Sequence, residues 1–201
     1  MAADADASTA RRAVIHDAAI ERFSVQGFTA TAMGDIAAAA GMSRPALYQY
    51  FPNKHEIFAS AFTALADAVV DAALAALDGP GAIAERLDGY LQRSDGDFWE
   101  RLSASPHADE IIAAKDAFAE RSVAPVFERL HGGLERQLRR FDGGGRSRAA
   151  IERRTQWMEL LVLSPRGFKL DQPSVDVFRK RLGRLAHSVA AEIEASIAST
   201  R

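Results

Sequence analysis

The stretch "DIAAAAGMSRPALYQYFPNK", residues 35–54, decides the reading of this chain, because it holds two short helix signatures around one glycine corner. Ile36, Ala37 and Ala40 recur at helical spacing, and Gly41 follows as a residue that enters left-handed backbone without a Cβ penalty. Thr31 is the expected N-cap of the first helix, which runs to Ala40. Ser43 is placed to cap the second, with Pro45 in its first turn, where no intrahelical N–H bond is missed, and Pro52 stops it. Such a pair packs steeply only if small residues face across the contact. Ala37 and Ala40 do so, while Ile36, Leu47 and Phe51 are expected in the shared core.

This is helix-turn-helix grammar, in which the second helix presents its N-terminal residues to base edges in the major groove. Ser43, Arg44, Pro45 and Ala46 occupy that end. Arg44 is the side chain there able to grip a guanine edge with two hydrogen bonds, a contact worth about 1–3 kcal/mol of discrimination. Thr31, Tyr48, Tyr50 and Lys54 suit the other requirement, fixing register at phosphate oxygens.

Working outward, helical periodicity continues almost everywhere and period-2 alternation is lacking, so an all-α fold is expected. A first helix capped by Ser8 or Thr9 carries the stripe Ile15, Ala19 and Phe23, behind a tail, "MAADADASTARR", expected to be disordered. Asn53 and Glu56 have capping-box spacing, which opens a fourth helix reaching Leu77. Further helices are expected over 83–93, 98–102, 106–121, 123–141, 148–163 and 174–199, separated by "DGPG", "SDGD", "SASP", "DGGG" and "SPRG". The expected organisation is a three-helix DNA-binding domain over 1–55 with its disordered tail, and a larger ligand-binding and dimerisation domain over 56–201, about nine to ten helices in all.

Composition narrows the function classes. The 201 residues are 48% hydrophobic and 26% charged, with no cysteine, which rules out disulfides, thiolate metal sites and a cysteine nucleophile. Formal net charge is -2, and residues 1–55 balance Arg11, Arg12, Arg22, Arg44 and Lys54 against Asp4, Asp6, Asp17, Glu21 and Asp35, so any nucleic-acid surface is small. The apolar run over 64–77 is broken by Asp67 and Asp71 and is shorter than the roughly 20 residues of a bilayer span, so no membrane helix is expected. Five scattered histidines form no HExxH, "GGG" at 143–145 lacks the Lys-Ser/Thr of a phosphate loop, and no serine sits in GxSxG. No enzyme, metal or cofactor is expected, and the chain reads as cytoplasmic.

Residues 27–58, "GFTATAMGDIAAAAGMSRPALYQYFPNKHEIF", resemble the DNA-binding signature of TetR-family transcriptional regulators, through the Thr-rich start, the Ile-Ala and Ala-Gly pairs, Leu-Tyr-x-x-Phe and the following Lys. Gly34 and Gln49 depart from that pattern. The resemblance implies operator contact by Arg44, Tyr48, Tyr50 and Lys54, a homodimer on a palindromic double-stranded DNA operator, and a small-molecule effector, most simply one that releases a repressor. It also implies an inducer pocket in the middle region, where Tyr90, Phe98, Trp99, His107, Phe118, Phe127 and Trp157 are the candidate lining for a hydrophobic or aromatic ligand.

The last helix carries Val175, Phe178, Leu182, Leu185, Val189, Ile193 and Ile197 at spacings of three and four, a stripe that calls for a partner helix. With Trp157 and Leu161 on the preceding helix, the residues Phe178, Leu182, Leu185 and Val189 are the expected dimer interface, a four-helix arrangement about a twofold axis. Two other classes stay open: a ligand- or partner-binding helical regulator that has lost operator recognition, and a helical enzyme using an aromatic cavity.

Overall fold

Helix α1 (Ala2–Gln26) opens the computed structural model, which describes residues 2–199, and the other helices follow without a strand among the described residues. They are α2 (Met33–Ala39), α3 (Arg44–Tyr48), α4 (Lys54–Asp78), α5 (Ile83–Leu91), α6 (Asp97–Ser103), α7 (Ala108–Ala114), α8 (Glu120–Phe141), α9 (Arg148–Gly167) and α10 (Val175–Ser199). Two π-helical turns, Gln92–Gly96 and Lys115–Ala119, join α5 to α6 and α7 to α8 without a loop. The expected all-α class is what forms.

The chain divides into two compact units, residues 1–67 with 102–126, and residues 68–101 with 127–201. This differs from a division at residue 55, because α4 starts in the first unit and ends in the second, and the segment 102–126 returns to the first. In that first unit Ile15, Ala19, Phe23, Ile36, Leu47 and Ile57 are buried, as the stripes of α1 to α4 require. Phe23, Phe28 and Phe58 meet pairwise with centroids 5.2 to 5.4 Å apart. Such tilted and edge-on aromatic pairs add to area burial by about 0.5–1.5 kcal/mol.

Several local expectations change. From Ala2 onward the tail is the first turns of α1, and Ser8 and Thr9 lie inside that helix instead of capping it; only Met1 falls outside the described residues. Alanine, the strongest helix former, carries the helix back through this stretch. Helix α2 starts after Ala32, not Thr31, with the Asp35 carboxylate accepting from the Ala32 amide at 2.8 Å. "SDGD" is not a break: its extra residue is absorbed by the first π turn, where Gln92 donates to the Arg179 carbonyl at 3.0 Å and accepts from the Arg179 guanidinium at 3.0 Å. Helix α8 keeps Pro125 in an early turn, and α9 runs past "SPRG" with Pro165 in its last turn.

In the second unit α10 packs chiefly on α5, with α9 and the first π turn beside it. Phe178, Leu182 and Val189 of α10 and Trp157 and Leu161 of α9 are each buried to within 2% exposure inside the single chain. They are therefore core, and the expectation that they form a dimer interface is corrected: α5, read from sequence only as one of the middle helices, supplies the partner the α10 stripe requires. Leu185 is half-buried beside them. Left exposed on α9 are Ile151, Leu160 and Leu163.

Helix α4 contains an apolar window long enough, by length and composition, to cross a membrane. Its Ile57, Phe58, Ala61, Val70, Ala73 and Leu77 are buried in the protein, the arrangement of a core helix.

Close approach of α4 and α8 rests on Gly133, where an added Cβ would lie 2.3 Å from Leu74 Cδ2. Gly133→Ala gains about 1 kcal/mol of helix propensity. Overpacking of this kind costs about 1–3 kcal/mol. A net lowering of the melting temperature is expected in a thermal denaturation scan, and a raised one would contradict the close packing.

Candidate nucleic-acid interface

The Ser43 hydroxyl accepts from the Ala46 amide at 3.3 Å, which starts α3 with Arg44 and Pro45 in its first turn. Gly41, at φ +64°, makes the corner before it. Leu47 is fully buried against α1 and α2, so α3 is fixed from behind. Ser43, Arg44, Pro45 and Tyr48 are exposed on its free side. Arg44 leans along the helix, its guanidinium 3.4 Å from the Tyr48 hydroxyl and 5.8 Å from the ring centroid. The pair presents five N–H donors and a phenol on one short helix face, chemistry matched to base edges and phosphate oxygens.

The other expected contacts are not free. Thr31 is 1% exposed, and its hydroxyl donates to the Gly27 carbonyl at 2.7 Å, inside the turn between α1 and α2. The Lys54 ammonium donates to the carbonyls of Phe28, Thr29 and Thr31 at 2.8, 2.9 and 3.0 Å, and sits 4.8 Å from the Phe28 ring centroid. All three of its protons are used on the protein, so Lys54 ties the turn rather than a phosphate. Tyr50 is half-buried against the head's core and lines a cleft with Arg12, His16 and Glu56. Its place two residues past the end of α3, where the chain turns into α4, takes it off the exposed face.

A second tie to the same turn comes from a segment far along the chain. Ser105 donates to the Ser24 carbonyl at 2.9 Å, and a His107 ring nitrogen lies 3.2 Å from the Val25 carbonyl. The Glu110 carboxylate accepts from the Thr29 amide, and the Thr29 side chain together with that amide holds its pKa below the usual carboxylate range. These residues close the C-terminal end of α1, whose last carbonyls have no intrahelical partner. The role of Glu110 carries no sequence signal, because its partner is 81 residues away.

The six aromatics and one histidine expected to line one effector pocket are divided between the two units. His107 and Phe118 belong to the first unit, where the Phe118 ring centroid lies 5.5 Å from that of Phe28 and 4.3 Å from that of His55. In the second unit Tyr90 and Trp157 are core residues; burial raises the Tyr90 phenol far above its ordinary pKa, and the Trp157 indole donates to Glu192 at 3.2 Å. The Trp99 indole donates to the Pro173 carbonyl at 3.2 Å, Phe98 lies near the Lys169 ammonium, and Phe127 is 39% exposed. None of them lines the cavity of about 390 Å3 between α8 and α9.

With this geometry in hand, similarity to known proteins places the head. The profile for bacterial regulatory proteins of the tetR family matches residues 15–61. The match takes in the second half of α1, the helix-turn-helix and the start of α4. Over 44 residues, 22% of its length, this chain is 46% identical to the HTH-type transcriptional regulator AcrR of Shigella flexneri, and the match spans about a fifth of that relative's length. A TetR-family regulator from Mesorhizobium loti has the same fold, with a TM-score of 0.65 at 20% identity over 96% of this chain and 97% of that one. One from Streptomyces coelicolor gives 0.60 at 20% identity over 95% and 83%. PfmR from Thermus thermophilus gives 0.56 at 24% identity over 86% and 97%.

Removing the tie at Lys54 strands three carbonyls in a partly buried turn. Lys54→Met is expected to lower unfolding stability by about 2–3 kcal/mol, the range of a charged hydrogen-bonding group lost with its partners left behind. Arg44→Ala, on the free side, is expected to stay within about 0.5 kcal/mol. Urea titration of the two variants checks the contrast; equal losses would contradict these assignments.

Proposed function

We propose that this chain is a TetR-family, cytoplasmic repressor that binds a palindromic double-stranded DNA operator as a homodimer and leaves it on binding a small hydrophobic or aromatic effector. The observation that carries the reading is the exposed Arg44–Tyr48 pair on α3, backed by buried Leu47 and started by the Ser43 cap. Arg44 reads base edges, and Tyr48, Ser43 and the backbone amides opening α3 hold phosphates. Thr31, Tyr50 and Lys54 keep the head in shape and do not touch DNA directly.

The apolar residues left exposed on α9, Leu160 and Leu163 at 40% and 55% exposure, supply the contact between copies, in place of residues already consumed by the core. Symmetry of such a dimer would set two α3 helices into successive major grooves. An effector acts on this assembly only through a difference in affinity between its DNA-bound and released states.

Genomic fragments retained by the purified protein and sequenced would yield the operator. On that operator Arg44→Ala and Tyr48→Ala are each expected to weaken binding by about 1–3 kcal/mol with the fold intact. Unchanged affinity in both would overturn the assignment of the reading head. Because residues 1–55 carry five cations against five anions, the salt dependence should be shallow, a few phosphates per subunit at about 0.9 in log–log slope each. In a sedimentation experiment Leu160→Glu with Leu163→Glu is expected to give monomers; a persistent dimer would place the interface elsewhere.

A further inference from the structure

The cleft between α8 and α9 has the size of a small-molecule site, about 390 Å3 against a usual range of roughly 300–1,000 Å3. Its floor is apolar, built by Leu138, Ile151, Met158, Val162 and Leu163. Leu138 comes from α8 and the other four from α9, where Ile151, Met158 and Val162 recur at helical spacing.

The polar groups around that floor are unevenly committed. Arg154, the cation among the lining residues, donates to the Asp142 carboxylate, which is 3% exposed, and to the Gly145 carbonyl at 2.9 Å. Thr155 gives its proton to the Ile151 carbonyl at 3.1 Å. Glu135 on α8 and Glu159 on α9, in contrast, make no hydrogen bond or ion pair among the described residues, and neither does His131. Burial lowers the pKa of His131, the Arg166 charge adds to this and Asp95 opposes it, so the imidazole is neutral near pH 7 and keeps an acceptor nitrogen. Arg166 does not itself line the cleft. Most of the capacity left over is acceptor capacity, two uncompensated carboxylates above an apolar floor, beside the one donor and one acceptor nitrogen of the neutral imidazole.

We propose that this cleft binds an amphiphilic organic cation, an apolar or aromatic body bearing a protonated amine whose N–H groups donate to Glu135 and Glu159. A neutral apolar ligand of the same shape would cover the carboxylates without pairing them, and an anion would meet like charge. As a statement about binding, the assignment stands on the cleft alone; as a statement about the effector, it rests on the regulator reading given above.

Isothermal titration of the full chain without DNA tests it, using phenylbutylamine, phenylbutanol and phenylbutanoate as probes of one shape and three charges. The amine is expected to bind at least about tenfold tighter than the alcohol, with the carboxylate weakest. Glu135→Gln with Glu159→Gln should cost the amine at least about tenfold and leave the alcohol unchanged, since both exchanges conserve shape on exposed side chains. Met158→Trp, which fills the floor, should remove binding of all three; both variants are checked for an unchanged helical circular-dichroism signal.

No detectable binding of the amine, equal binding of the three probes, or full retention of amine affinity in the double glutamine variant would each overturn the proposal. Amine binding that obeys the pattern but fails to release the operator would support the site and overturn its role as effector site. Failure to bind any operator, with amine binding intact, would remove the regulator reading and leave the site standing.

Discussion

The ammonium of Lys54 gathers the carbonyls of Phe28, Thr29 and Thr31 while lying against the Phe28 ring. Those oxygens sit in a turn with no regular ladder to join, and a partly buried turn must find partners for its backbone or forfeit stability. One side chain from the first residue of α4 meets that need, and Thr31, Ser105 and Glu110 complete it from other directions. The turn fixes where α2 begins, α2 fixes the corner at Gly41, and the corner fixes the face that α3 leaves free. The position of Arg44 and Tyr48 therefore follows from a cation they never touch.

The same economy explains why several residues suited to DNA are unavailable to it. A lysine or threonine beside a recognition helix reads as a phosphate contact when only its type and spacing are known. Once the backbone turn is folded, the nearest unsatisfied oxygens belong to the protein, and the local bond forms at no cost in association. What remains free is the tip of α3, which is small, and this agrees with the balanced charge of residues 1–55.

In the second unit a comparable reallocation occurs with apolar surface. The α10 stripe is long enough to demand a partner, and α5 provides it within the chain, across a π turn whose Gln92 is bonded to Arg179 in both directions. Trp157 and Leu161 are drawn into the same core. Surface left for other molecules is then found on α9, as the exposed Leu160 and Leu163 and as the cleft against α8 that Leu163 also borders.

The sequence by itself determined the helical class, the helix-turn-helix, the caps at Ser43 and Asn53, and the core roles of Ile36, Leu47 and Phe51, because each depends on residues within a few positions of one another. It also indicated the likeness of the head to TetR-family regulators, through a run of contiguous residues. Tertiary structure alone decided that Thr31 and Lys54 face inward, that Glu110 closes a turn 81 residues away, that the α10 stripe is satisfied by α5, and that Tyr90 and Trp157 are core. Each of those outcomes is a choice among partners distant in sequence, and such choices are settled by which groups packing brings within reach, a quantity no local pattern encodes.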